Sequence, residues 1–207
     1  MTLAEFDNEY RKQYPVVCGA DEAGRGPLAG DVFAAAVVLA PDTVIEGIND
    51  SKKLTAKMRD RLFDEIIQKA EYYSIQRATV AEIEEINILN SAMLAMKRAI
   101  EDLGYTPDIA LIDGNKTPDL KIKAEAVVKG DARSQSVAAA SILAKVARDR
   151  YMEEMAEKYP QYQFEKHKGY GTKLHYQMID KYGECEIHRP SFLKKYYAKK
   201  SEQDSTP

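Results

Sequence analysis

Residues 32–40 of this chain, V-F-A-A-A-V-V-L-A, form an unbroken apolar run closed by Pro41. Nine residues are far too few to cross a bilayer, which takes about 20. A strand wet on one face would alternate polar with apolar residues, so a continuous run predicts a strand buried on both faces and a sheet with helices packed on each side. A second run, V-V-C-G-A at 16–20, bounded by Pro15 and by glycines, predicts another buried strand. The Gly-Pro segment between them predicts a hairpin-like return.

The rest of the chain alternates. Leu62, Phe63, Ile66 and Ile67 recur at helical spacing among charges, predicting a helix over 55–70, followed by a strand over 72–79. Thr79 and Glu82 have capping-box spacing and open helical sequence that breaks near 87–90 and stops at Gly104. Strands are predicted at 108–113 and 121–128. A long helix runs from Ser134 to the residue before Pro160, apolar at first and charged later, so its first half must pack on the sheet. A turn-rich segment at 167–172, two shorter helical stretches and a polar tail at 201–207, expected to be disordered, complete the chain. Three early strands followed by alternating helices and strands predict an α/β sheet that is antiparallel on one side and parallel on the other.

Composition enters as a bound. At 207 residues and 44% hydrophobic, the chain can bury one proper core. The first 14 residues are charged and lack a signal peptide's apolar stretch, so a cytoplasmic protein is expected. Cys18 and Cys185 match no metal-ligand spacing and read as reduced thiols. The net charge of −3 argues against a general polyanion binder, but the charge is uneven. Lys166, Lys168 and Lys173 surround one turn, and Arg189, Lys194, Lys195, Lys199 and Lys200 crowd the C-terminal stretch among Phe192, Tyr196 and Tyr197. Such patches suit either a nucleic-acid footprint or a solvated helix face.

The stretch G-A-D-E-A-G-R-G-P-L-A-G at 19–30 superficially imitates a phosphate loop. That loop needs a lysine followed by serine or threonine, whereas Arg25 precedes Gly26 and Pro27, and no helix N-terminus follows. The acids carry more. Asp21 falls within or at the end of a buried strand, where an unpaired carboxylate is costly, and Glu22 follows at once. Strand neighbours point to opposite faces, so both can reach one centre only if the backbone bends or bulges there. Asp113 ends the apolar run I-A-L-I, and Asp131 lies in K-G-D just before the long helix. Singly, each reads as turn or cap chemistry. If the strands of Asp21 and Asp113 are neighbours, however, the carboxylates converge, and their repulsion requires cations. Oxygen ligands without a histidine or cysteine set favour Mg²⁺ or Mn²⁺ over zinc. Two such ions about 3.5–4 Å apart support in-line phosphodiester hydrolysis.

Six segments carry a family resemblance: G-A-D-E-A-G-R-G-P-L-A-G, N-D-S-K-K-L at 49–54, L-I-D-G-N at 111–115, K-G-D at 129–131, A-A-A-S-I-L-A-K-V-A-R-D at 138–149 and H-K-G-Y-G-T at 167–172. Together, in this order and over nearly the whole chain, they resemble bacterial type 2 ribonuclease H, the ribonuclease HII family. The related HIII branch carries a substantial extra N-terminal domain, whereas about fifteen residues precede the first strand here, which favours HII.

The resemblance implies a ribonuclease H-like five-stranded mixed sheet flanked by helices, with a core over 1–160 and a C-terminal helical extension over 161–200. It implies a monomeric, metal-dependent endonuclease that cleaves the RNA strand of RNA–DNA hybrids and cuts 5′ of single ribonucleotides embedded in duplex DNA, leaving 3′-hydroxyl and 5′-phosphate ends. By matching motifs, Asp21, Glu22, Asp113 and Asp131 would be the catalytic, metal-binding acids. Gly24, Arg25 and Gly26 would present backbone to the ribose 2′-hydroxyl, and Tyr170 would pack against the adjoining sugar. Lys52, Lys53, Lys145, Arg148 and the C-terminal lysines would hold phosphates; no histidine is assigned a catalytic role. Two rivals remain open. A junction resolvase or integrase of the same fold would share the acids without needing the Gly-Arg-Gly segment, and a non-catalytic nucleic-acid-binding module would need basic patches without converging acids.

Overall fold

A computed structural model describes residues 1–48 and 54–204. The elements follow in the order α1 (Leu3–Arg11), β1 (Val17–Ala23), β2 (Val32–Leu39), α2 (Ala56–Lys69), β3 (Ala70–Ala78), α3 (Val80–Glu101), β4 (Ile109–Asp113), β5 (Lys123–Val127), α4 (Gln135–Lys158), α5 (Phe164–His167), α6 (Lys173–Tyr182) and α7 (Pro190–Asp204). The strands form one sheet in the order β3-β2-β1-β4-β5. β1 pairs antiparallel with β2 and β2 with β3, while β1 pairs parallel with β4 and β4 with β5. The mixed sheet expected from the strand and helix pattern is present, with β1 at its centre.

The apolar run of β2 is buried along its whole length. Its alternating residues serve two layers. Ala34 and Ala36 share a core with Ala92, Ala95 and Ala99 of α3, whereas Ala35 and Val37 share another with Ala139, Ala140 and Leu143 of α4. Small residues on strand and helices alike let both helices lie close to the sheet. Leu62, Phe63 and Ile66 of α2, the apolar stripe read from the sequence, complete the α4 side.

α4 comes so close to β1 that only glycine fits beneath it. A β-carbon on Gly19 would lie 2.2 Å from the carbonyl carbon of Ser136 and from the backbone nitrogen of Val137. The start of α4 is pinned from the other side by α1. Asp7, fully buried, accepts hydrogen bonds from the Ser136 N–H and hydroxyl, each at 2.8 Å, placing its carboxylate at the positive end of the helix dipole. Burial raises the Asp7 pKa all the same, against the hydrogen bonds that lower it.

The expected break in the long helical stretch falls at Asn87, whose φ of 66° interrupts α3. Its side-chain oxygen accepts the N–H groups of Leu89 and Asn90, recapping the second half, a role suited to a residue that tolerates the left-handed region. Where the sequence suggests a polar tail from Ser201, α7 instead runs on through Asp204. Among the described residues no helix is long and apolar enough to cross a membrane.

The Gly19 contact makes a direct test. We expect Gly19→Ala to destabilise the protein by about 3 kcal/mol or more, since overpacking against backbone exceeds the usual cost of a misplaced methylene. Thermal unfolding checks this, and an unchanged melting temperature would refute the contact.

Candidate active site

β1 and β4 run parallel, and their last pairing is Ala20 with Ile112. One residue further on lie Asp21, inside β1 and two residues short of its end, and Asp113, the last residue of β4, whose charge Asp21 feels. Pairing of β1 with β2 continues without interruption from Cys18 to Ala23, so the bulge expected at Asp21 and Glu22 is absent. The two acids interact all the same: the Glu22 N–H donates to Asp21 Oδ1 at 2.7 Å, and the Glu22 charge raises the Asp21 pKa. Asp131 arrives from a 3-10 turn, Gly130–Ala132, between β5 and α4. That turn hangs from Asp113, whose Oδ1 accepts the N–H of Gly130 at 2.7 Å and that of Asp131 at 3.4 Å.

Asp21 is 5% exposed and Asp131 8%. Burial, and then the negative charges of Glu22 and Asp113, push the Asp21 pKa well above the usual carboxylate range; the Ser141 hydroxyl on α4 and the Glu22 N–H act in the opposite sense. Arg25 partly balances Glu22, with a guanidinium nitrogen 3.2 Å from its carboxylate. Among the described residues no three or more histidine, cysteine, aspartate or glutamate side chains are grouped so that they could hold a metal ion. The donor chemistry nonetheless fits a hard divalent cation. The acids supply only oxygen, and Asp21 is destabilised by the kind of like-charge crowding that a cation relieves.

Beside these acids opens a cleft of about 500 Å³ lined by Glu22, Gly24, Arg25, Gly26, Lys145 and Tyr170, among others. The Gly-Arg-Gly wall is shaped from behind by Arg189. This arginine is completely buried, and its guanidinium donates to the carbonyls of Gly24 (2.7 Å), Arg25 (3.1 Å), Pro27 (2.9 Å) and Gly30 (2.9 Å from Nε). In a trans peptide the N–H points opposite to the C=O. Drawing the Gly24 and Arg25 carbonyls inward therefore turns the N–H groups of Arg25 and Gly26 away from Arg189. Burial, then the charge of Arg148, lowers the Arg189 pKa to about 9, which leaves it cationic at neutral pH.

Arg148 does not stand where a phosphate-holding residue would. It too is fully buried, and it donates to the carbonyls of Lys168 (3.0 Å) and Ala29 (3.1 Å). Its Nε lies where a Gly24 β-carbon would be, 2.1 Å away, and its guanidinium carbon is 5.7 Å from the centre of the Tyr170 ring. Helix α4 has turned this side chain inward, so its charge supports the loop rather than the surface. Lys145 does reach the cleft and also lines a neighbouring groove with Arg59, Arg150 and Lys168, although its amine is 2.6 Å from Asp149. Tyr170 is 43% exposed. Lys52 and Lys53 lie outside the described residues. Of the C-terminal lysines, Lys194, Lys195 and Lys199 are exposed, and Lys200 pairs with Asp180.

The sequence profile of the ribonuclease HII family matches residues 18–195. The chain belongs to the ribonuclease HII family. It is 55% identical over 201 residues to ribonuclease HII of Caldicellulosiruptor bescii, covering 94% of this chain and 98% of that protein. It is 56% identical over 177 residues to ribonuclease HII of Idiomarina loihiensis, covering 86% and 95%. Among solved structures, ribonuclease H2 of Pyrococcus horikoshii superimposes with a TM-score of 0.72 at 28% identity, over 87% of this chain and 96% of that one. Bst-RNase HIII in complex with Mn²⁺ shares the fold, with a TM-score of 0.69 at 18% identity, over 88% and 69%. As a ribonuclease HII, the protein is a metal-dependent endonuclease of the hydrolase class, and the resolvase and binding-module alternatives fall away.

Sequence reasoning did not single out Arg189 from the basic C-terminal residues, nor Ser141 from the apolar start of α4. Arg189 looks like one more surface cation. The flanking Ile187 and Pro190, together with Leu193, were the available sign that this segment packs inward.

Two outcomes test the site in this ribonuclease HII. Because burial and like charge raise the Asp21 pKa, its carboxylate opposes folding above that pKa. Without divalent metal, Asp21→Asn should therefore melt higher than the wild type at neutral pH, with the gap closing as pH falls; calorimetry across pH checks this. Gly24→Ala combines the left-handed φ of 101° with a clash on Arg148, whereas a Gly26 β-carbon meets nothing nearer than 3.9 Å. With a strain of about 1–2 kcal/mol from φ alone, Gly24→Ala should lower kcat/KM roughly tenfold or more beyond Gly26→Ala.

Proposed function

We propose that this enzyme cleaves the RNA strand of RNA–DNA hybrids and cuts on the 5′ side of single ribonucleotides embedded in duplex DNA, leaving 3′-hydroxyl and 5′-phosphate ends. The observation that carries the reading is that Asp21, on the central strand, feels the charge of Asp113, the last residue of the parallel neighbour β4, beside a cleft walled by Gly24, Arg25, Gly26 and Tyr170. Asp21, Glu22, Asp113 and Asp131 would hold Mg²⁺ or Mn²⁺. The metal, when bound, supplies activation of the attacking water and stabilisation of the leaving oxygen.

The chain's own groups do the rest. The Arg25 and Gly26 N–H groups, turned away from Arg189, are donors for the ribose 2′-hydroxyl, the one group that separates the substrate from DNA at the cut. Gly26, where a β-carbon would meet nothing nearer than the Tyr170 ring at 3.9 Å, allows the sugar to approach the backbone closely, while Gly24 makes room for Arg148 behind. Tyr170, exposed beside Gly26, packs its ring against the sugar of the adjoining deoxynucleotide. Lys145, on the wall shared by the two grooves, draws the phosphate backbone along the outer face of α4, and Lys52 remains a candidate for the same work.

The assay uses duplex DNA containing one ribonucleotide, with Mg²⁺, with Mn²⁺ and with chelator. We expect metal-dependent cutting 5′ of the ribonucleotide and no cutting of the all-DNA duplex; full activity in chelator, or equal cutting of DNA, overturns the reading. Asp21→Asn should lower turnover by about 100-fold or more while the protein stays folded. Tyr170→Ala should raise KM more than it lowers kcat.

A further inference from the structure

Behind Tyr170 lies a group of titratable side chains that the reaction does not use. His167, His175 and His188 are 7%, 0% and 2% exposed. His167 and His175 stack with ring centres 4.3 Å apart, and Phe164 packs edge-on against both. Buried imidazoles need partners for both nitrogens, and here the partners dictate where each proton sits.

The Cys185 N–H can only donate, and it points at His188 Nδ1 from 2.8 Å. His188 therefore carries its proton on Nε2. That atom faces His175 Nε2 at 3.1 Å, and two neutral ring nitrogens can share only one proton, so His188 donates and His175 accepts. The His175 proton is then on Nδ1, which lies 3.0 Å from the carbonyl oxygen of Tyr170. His167 follows the same logic: Nδ1 accepts the Gly169 N–H at 3.2 Å, so Nε2 donates to the Tyr162 carbonyl at 2.9 Å. One assignment of three protons satisfies these five contacts, with the Cys185 Sγ lying 3.2 Å from the same His188 Nδ1 that accepts the Cys185 N–H. Burial holds both His175 and His188 near a pKa of about 4, so the neutral chain persists at neutral pH.

We propose that His175 and His188 are positioning residues for Tyr170, a neutral relay from the Cys185 N–H to the Tyr170 carbonyl that sets where the tyrosine meets the substrate sugar. The inference rests on the reading of Tyr170 given above. The Tyr170 carbonyl takes a second bond from the Thr172 N–H at 2.8 Å, and the Gly169 carbonyl accepts the Leu28 N–H at 2.8 Å. The relay thus fixes one end of a turn whose other end is tied to the segment following Gly-Arg-Gly. His175 orients Tyr170 through the backbone, leaving the phenol ring free to face the cleft.

The experiment compares steady-state kinetics on a duplex with one ribonucleotide for wild type, His175→Phe, His175→Asn, Tyr170→Ala and the Tyr170→Ala/His175→Phe double variant. Phenylalanine fills the space without a donor, whereas asparagine keeps an N–H near the Nδ1 position. We expect His175→Phe to raise KM by up to about tenfold, one hydrogen bond's worth, with a smaller change in kcat. His175→Asn should recover most of that loss. In the Tyr170→Ala background His175→Phe should add nothing, because the relay acts only through Tyr170.

Nitrogen-15 spectra of the wild type at neutral pH give a readout independent of turnover: His188 protonated on Nε2 and His175 on Nδ1. Multiplying penalties in the double variant, or an active His175→Phe beside an impaired Tyr170→Ala, overturns the relay alone. A fully active Tyr170→Ala overturns the reading of Tyr170 itself and the positioning role with it. Should His175→Phe fail to fold, the spectra decide, and the opposite tautomers refute the proposal.

Discussion

Much of the site is measured out along one helix, and the closest constraint on that helix is a backbone contact. α4 lies on β1 at Gly19 closely enough that a β-carbon would meet its peptide chain. From there its side chains meet successive parts of the site. Ser141 reaches Asp21, Lys145 lines the cleft, Arg148 sits under Gly24, and Met152 lies where a β-carbon on Gly30 would be. These positions recur every three or four residues on one helical face and span roughly 16 Å. A shift of α4 along the strand would displace the acid's hydroxyl partner, the cleft lysine and the loop's support together.

The C-terminal segment closes this arrangement from the far side. The Gly30 N–H donates to Ile187, the Arg189 N–H donates to Leu28, and the Leu28 N–H donates to Gly169. Three stretches distant in sequence are stitched into one small patch of backbone. Residues beyond 160 therefore act as a wall of the cleft and as a brace for the Gly-Arg-Gly segment. Their packing is aromatic and histidine-rich, a second core centred on Met152, Tyr162 and Phe164.

How much of this the sequence made legible depends on the scale of the signal. The double-sided burial of β2 and the helix break near Asn87 could be read because unbroken apolarity and helical periodicity are local patterns. The neighbouring of Asp21 and Asp113 was open to inference from strand ends and then fixed by register. A bend or bulge at Asp21 and Glu22 was expected because alternation seemed to forbid their meeting; β1 pairs with β2 without a bulge, and the two interact through the Glu22 N–H and the Glu22 charge. Arg148 was read as a phosphate-holding residue, and Arg189 as one of several C-terminal cations, because an arginine's letter does not say which way it points. Only the packing of α4 and of the segment before α7 turns them inward. The histidines were legible as residues but not as a chain, since their order depends on backbone donors brought together from 169 to 188.

The two buried guanidiniums carry a consequence for the chemistry of the loop itself. Among the described residues neither has a carboxylate hydrogen-bonded to it; Arg189 spends its donors on peptide carbonyls, as do the two terminal nitrogens of Arg148. A cation hydrogen-bonded to a carbonyl withdraws electron density through that amide, making the N–H at its other end more acidic. Arg189 does this to the peptides that carry the N–H groups of Arg25 and Gly26. A stretch of main chain, with no ionisable atom of its own, is thereby given part of a positive charge borrowed through the amide plane from a side chain buried behind it.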